Sequence, residues 1–290
     1  MRERTFNVFT WSLHGHWPVE KGEFDYVRAF NALAEMSEES RIVQNLQQDR
    51  PDYLSIFEIQ ENDGIYLFHF AEIDGVNSVP VLDRQTGQLN PETQLPGELA
   101  KLDWLIVDPK RRKLFTRRNN SGISLARMIE GAAEMMEATF GFSVRLGVGQ
   151  IVSSDFFETV DQMDIVKEIR IQMVEPNLDW DDAREMQNQA GPSNAAKVEM
   201  VYTSGRNESL SKNQGILPEL GKELKKTSPA IEDASVRGRK EGVTGYVTAR
   251  TEDSQEKVVV KAPDSVAGQK LGALALSLIS KIFGSSNGNG

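Results

Sequence analysis

Between Lys110 and Arg118 the chain reads KRRKLFTRR, six cations in nine residues with no carboxylate among them. Lys110, Arg111, Arg112, Lys113, Arg117 and Arg118 have the chemistry to neutralise phosphates, and a guanidinium fork matches phosphate oxygens in a bidentate fashion. The same charges also suit a solvated hairpin tip kept polar against edge-to-edge pairing. The whole chain carries −10, so setting these six aside leaves the remainder near −16. An acidic net charge argues mildly against strong nonspecific nucleic-acid binding, but it leaves room for a local basic site. If all six cations met phosphates, duplex binding would fall with salt at a log–log slope of roughly −5. Residues 155–185 hold ten acidic and three basic side chains. That run could face the basic stretch across an interface or stand as a solvated face.

Other chemistries have thinner support. His14-Gly15-His16 places two imidazoles on one side of a strand, and His69 is the third histidine. No recognised ligand spacing links them, so no metal is expected. Glu223-Leu224-Lys225 matches the E-x-K trio of metal-dependent nucleases, whose carboxylates hold Mg²⁺ at the scissile phosphate. Here it falls in a helix-like, lysine-rich stretch. There is no phosphate-cradling G-x-x-x-x-G-K-[ST] and no G-x-S-x-G elbow, and Gly147-Val148-Gly149 lacks a third glycine. The absence of cysteine excludes a disulfide framework, thiol catalysis and cysteine-held clusters. No cofactor is expected, and a binding protein is a better reading than an enzyme.

The elements that must position the cations follow from periodicity. Phe6, Val8 and Trp11 mark a first strand over 4–13. Phe24, Val27, Phe30, Leu33 and Ala34 recur at helical spacing over about 23–36, and RIVQNL is either strand or helix continuation. YLSIFEIQ and IYLFHFAEI flank Asp63-Gly64 as a β-hairpin. Residues 76–99, with Pro80, Pro91 and Pro96, read as a surface loop or flap. LDWLIV and KLFTRR then form a second hairpin, with Asp108 and Pro109 opening its turn. Ser121 or Ser124 caps the helix LARMIEGAAEMMEATF. FSVRLGVGQIVSS reads as a strand and DFFETVDQM as a short helix. DIVKEIRIQMV is a strand, and LDWDDAREMQNQ is a helix start capped by Asp179.

QNQAGPSNA, at 187–195, is the most linker-like interior stretch. Strand AAKVEMVYTS follows, then a broken helical stretch, SLSKNQGILPELGKELKKT, then short strands in DASVRGRKEGVTGYVTARTE and EKVVVKA. The final helix, about 266–283, sets Leu271, Leu274, Ala275, Leu278, Ile279 and Ile282 on one face. Leu271, Leu274, Leu278, Ile279 and Ile282 are its candidate interaction residues, for a dimer seam or for docking on its own core. A membrane role fits less well, because the polar face has only Lys270 and Lys281 as cations. SSNGNG reads as a flexible tail.

At 290 residues the chain suits one large domain or two modest ones. The expected division is an N-terminal α+β domain over 1–186 and a C-terminal α+β unit over 187–290. No stretch approaches the roughly 18 apolar residues of a membrane span. MRERTFNVFTWSLHGHW carries no leader-like apolar run, and a cytoplasmic location is expected.

The order of elements carries a resemblance. DYLSIFEIQENDGIYLFHFAEID, then DWLIVDPKRRKLFTRR before a serine-capped helix, then IRIQMVEPN and SVRGRKEGVTGYVTAR, resemble a group of bacterial proteins known only as a domain of unknown function. More loosely they resemble the phage exclusion protein RexA and the Kiwa defence component KwaB. The likeness covers most of residues 5–260 and rests on pattern, without a diagnostic short motif. It implies an α+β fold of antiparallel hairpins with flanking helices in a RexA-like arrangement. It also implies phage defence by abortive infection or exclusion, sequence-nonspecific contact with duplex DNA, and a homodimer or a partner defence protein. The alternatives are a module that binds a phage or host protein, and a metal-dependent nuclease.

Overall fold

The computed structural model describes residues 3–45, 52–73, 78–82, 89–94, 100–117, 122–174, 197–226, 231–263 and 268–283. The fold is α+β, with antiparallel sheets and flanking helices. The first sheet contains β1 (Glu3–His16), β2 (Ile42–Asn45), β3 (Asp52–Asn62) and β4 (Ile65–Ile73). It is completed by β7 (Ala100–Asp108), β8 (Lys113–Thr116), β9 (Arg145–Gln150) and β14 (Lys257–Pro263). Its order is β14-β1-β8-β7-β4-β3-β2. The long first strand changes partner midway: Glu3 to Phe9 pairs with β14, while Trp11 to His16 pairs with β9.

Both faces of this sheet are covered. Helices α1 (Tyr26–Glu35) and α2 (Leu125–Phe140) lie on one face, over Leu54, Phe68, Phe70, Leu105 and Leu114. Asp25 caps α1 and Ser124 caps α2, each accepting the N–H three residues on. Gly131 lets α2 approach β3, since a Cβ there would stand 2.2 Å from Leu54 Cδ2. The C-terminal helix α5 (Gln269–Phe283) covers the other face, over Val8, Leu67, Trp104, Ile106 and Phe115.

The second sheet has order β11-β10-β12-β13. Its strands are β10 (Ile165–Val174), β11 (Lys197–Thr203), β12 (Ile231–Arg239) and β13 (Val247–Arg250). Helices α3 (Ser154–Asp161) and α4 (Ile216–Leu224) pack on one face, around Phe156, Ile169, Leu220 and Val236. Among the described residues no helix covers the opposite face.

The two sheets do not part at 186/187. That position falls between β10 and β11, which are hydrogen-bonded neighbours, while β14 returns to pair with β1. The second sheet is an insertion between β9 and β14. Its entry and exit run side by side: Val152 bridges Gln255, Glu256 N–H donates to Ile151 O at 2.7 Å, and Ser153 N–H donates to Ser254 O at 2.7 Å.

Residues 78–82 and 89–94 pair as a two-stranded ribbon, β5 with β6, within the span read as a flap. Its prolines hid the strands, but Pro80 and Pro91 fall at a register shift, where a missing N–H costs no ladder bond. Within RIVQNL, Ile42–Asn45 resolve as strand β2. The helix start at Asp179, the linker at 187–195 and the tail SSNGNG lie outside the described residues.

Candidate nucleic-acid interface

Lys110 to Thr116 fold as expected, into the turn and return strand of the β7–β8 hairpin. Buried Asp108 organises the turn: one carboxylate oxygen accepts the Arg111 N–H at 3.1 Å, and the other accepts Arg111 Nη1 at 2.9 Å. Arg112 takes a left-handed φ of 53° to close it.

The cations do not form one groove. Arg112 turns to the α1 side, its guanidinium 4.8 Å from the Tyr26 ring centre. Lys113 turns to the α5 side, 5.2 Å over Phe283 and 3.8 Å from the Glu256 carboxylate. Arg117 Nε donates to buried Asp103 at 3.2 Å. Lys110 is exposed beside Gly64 of the neighbouring hairpin, and Arg118 lies outside the described residues. Arg111, Lys113 and Arg117 are thus countered by the chain's own carboxylates, none of them from the acidic run at 155–185.

The candidate interaction residues of α5 also divide. Leu271 and Ile279 are buried against the sheet, and Leu278 is half-buried. Leu274 and Ile282 are 42% and 47% exposed. The buried face is rotated from the one that periodicity selects, because it includes Gly272 and Ser280. A Cβ on Gly272 would lie 3.1–3.3 Å from His69, Trp104 and Leu67, so the helix seats closely at its smallest residue.

A second cationic cluster stands on the open face of the inserted sheet. Strand alternation turns Val236 and Gly238 to the helices and Arg237 and Arg239 to the outside. Gly238 is required there, since a Cβ would meet Ile165 O at 2.4 Å. Arg237 and Arg239 lie 4.5 and 5.0 Å from the Tyr246 ring centre, and Arg239 Nη2 reaches the Tyr246 hydroxyl at 3.5 Å. Tyr246 is 45% exposed. Among the described residues neither arginine has a carboxylate within ion-pair distance. Nearby, Arg170 bonds Glu168 at 2.7 Å, and that bond holds the Glu168 carboxyl below its usual range, with Arg237 adding to the effect.

Beside the stack, a cleft of about 300 Å³ is lined by Lys167, Thr203, Ser204, Arg206, Arg237 and Tyr246, with Glu168 as its carboxylate. Lys167 Nζ donates to the carbonyls of Gly205, Arg206 and Glu208, fixing the loop that carries Arg206. Arg250 is exposed on the next strand. The sequence did signal this cluster, through alternating Arg237 and Arg239 followed by Tyr246. Its charge density is lower than that of the hairpin, so density alone passed over it.

The remaining candidates separate. His14 Nε2 sits 3.2 Å from Ser12 Oγ on β1, and His69 is on β4, three strands away. Glu223 is buried and paired with Lys226 at 2.5 Å. Glu223 and Lys225, two positions apart, point to opposite sides of the helix. Among the described residues no three His, Asp or Glu side chains converge to hold a metal ion, and no helix is long and apolar enough to cross a membrane. No protein-family model matches the chain, and no curated protein does either.

Proposed function

We propose that this chain contacts duplex DNA nonspecifically through the β12–β13 ribbon, not the β7–β8 hairpin. The setting would be the phage defence that the RexA-like and KwaB-like pattern implies. The observation that carries the reading is the pair Arg237 and Arg239 stacked on exposed Tyr246, with Glu168 across the register from Arg237 but no carboxylate within ion-pair distance of either arginine among the described residues. Stacking holds the guanidinium planes while leaving N–H groups free for phosphate oxygens. Arg206 and Arg250 extend the same positive surface.

Fluorescence anisotropy with a labelled duplex across a salt series tests the reading. Four neutralised phosphates give a log–log slope of roughly −3.6. Reversing both charges, R237E with R239E, is expected to weaken binding by about 100-fold, from two charge-assisted contacts of about 1.5 kcal/mol each. Unchanged affinity in that variant, with loss in a variant of Lys110 and Arg112, would return the site to the hairpin.

A second reading, self-association, is favoured by the outer stripe of α5. Leu274, Leu278 and Ile282 follow at four-residue spacing along one side, and such a stripe suits a two-fold contact with a second copy. Light scattering on the full chain should report a dimer that L274E with I282E converts to monomer. A monomer in the unaltered chain ends this reading.

A further inference from the structure

On the closed face of the inserted sheet, α3 and α4 leave a cleft of about 360 Å³ between them. Its apolar lining is Phe156, Phe157, Val160, Leu217 and Leu220. The space exists because α4 presents Pro218 and Gly221 toward it. A Cβ on Gly221 would find only the Phe157 ring, at 4.0 Å.

The rim is polar and mostly cationic: Lys212, Lys222 and Lys225, with Asp161 as the one carboxylate of the lining. Lys212 Nζ donates to the Asp161 carbonyl at 2.8 Å, and Lys222 lies 2.6 Å from Glu219. Lys225 sits 4.9 Å over the Phe157 ring and has no carboxylate within ion-pair distance among the described residues. An unpaired ammonium therefore stands at the mouth of an apolar slot.

The geometry selects the occupant. Helices form the walls and offer no open strand edge to the cleft, so an extended peptide would find few main-chain partners there. The volume lies at the small-molecule end of ligand cavities, too small for a helix of about 10 Å diameter. What fits is one anionic head on one hydrocarbon body. We propose that this cleft binds a small carboxylate carrying a medium-length hydrocarbon chain, with Lys225 meeting the carboxylate and the Phe156–Leu220 lining enclosing the chain. The proposal is independent of the DNA reading, which uses the opposite face of the same sheet.

Isothermal titration of the full chain with butanoate, hexanoate and octanoate tests it. Each added CH₂ should strengthen binding by about fourfold until the cleft is full. Octan-1-ol should bind about tenfold more weakly than octanoate, for want of the charge-assisted contact. Gly221→Leu should fill the slot and abolish octanoate binding with the circular-dichroism spectrum unchanged. Lys225→Gln, at an exposed position, should keep the fold and shrink the octanoate–octanol gap to less than about threefold. No binding of octanoate, affinity independent of chain length, or a folded Gly221→Leu that still binds would each overturn the proposal. Should Gly221→Leu alter the spectrum, an unchanged octanoate–octanol gap in Lys225→Gln overturns it instead.

Discussion

Two antiparallel ribbons of this chain carry arginine-rich sequence, and they use it in opposite ways. In the β7–β8 hairpin, Arg111, Lys113 and Arg117 are met by Asp108, Glu256 and Asp103. In the β12–β13 ribbon, Arg237 and Arg239 are held by an aromatic ring, and among the described residues no carboxylate comes within ion-pair distance of them, Glu168 acting on Arg237 only from farther off. The first arrangement ties a turn into the body of the molecule. The second leaves positive charge facing solvent. A dense run of cations marks a binding surface only where the fold leaves those charges uncompensated.

Removing a carboxylate from the first ribbon should give the largest effect. Asp103 accepts both Arg117 Nε at 3.2 Å and the buried Trp104 N–H at 3.0 Å. D103A leaves both donors without that partner and should cost about 2–3 kcal/mol, read as a lower denaturant midpoint. R237A on the open ribbon should cost less than about 0.5 kcal/mol in the same measurement. If D103A left stability intact while raising DNA affinity, the first ribbon would be a masked binding site and the contrast would fail.

Adding a carboxylate to the second ribbon should give an intermediate effect. Thr248 is exposed and opposes Arg237 in register, so T248E recreates there the compensation found in the first ribbon. Stability should move by no more than about 0.5 kcal/mol. DNA affinity should drop by about tenfold, one charge-assisted contact. An unaltered affinity would remove Arg237 from the interface.

The smallest effect concerns the sheet beneath α5. His69 is 1% exposed, its Nε2 lacks a hydrogen-bond partner, and burial pushes its pKa below the ordinary value, partly offset by Glu58 at 4.0 Å. The unfolded chain therefore takes up this proton first on acidification. Stability from His69 is full above its unfolded pKa of about 6.5 and declines as pH falls below it. Denaturant midpoints between pH 7 and pH 5 should fall more steeply in the unaltered chain than in H69F. Equal slopes would show that His69 is not the group being titrated.

Local chemistry made much of the fold readable. Asp63 and Gly64 take φ of 55° and 77° at the hairpin turn, and Ser124, one of two candidate caps, does cap α2. Pairing across long stretches of chain was not readable. Glu256 meets Lys113 only because β14 returns to β1 beside β8, and no local window contains both residues. The C-terminal helix misled for a related reason. Gly272 and Ser280 score as its polar side, yet they are buried because the helix presses onto the sheet where its side chains are small. For the proposed binding surface, sequence supplied the charges, while their compensation depended on tertiary contacts.

The doorway formed by Val152 and Gln255 has a consequence for how the chain can be taken apart. Because the inserted unit leaves and re-enters the larger body at neighbouring points, a short turn could replace everything between them without stretching β9 or β14. Such an excised body and a separately expressed insert should each fold. The duplex-DNA contact proposed for Arg237 and Arg239 would travel with the smaller piece.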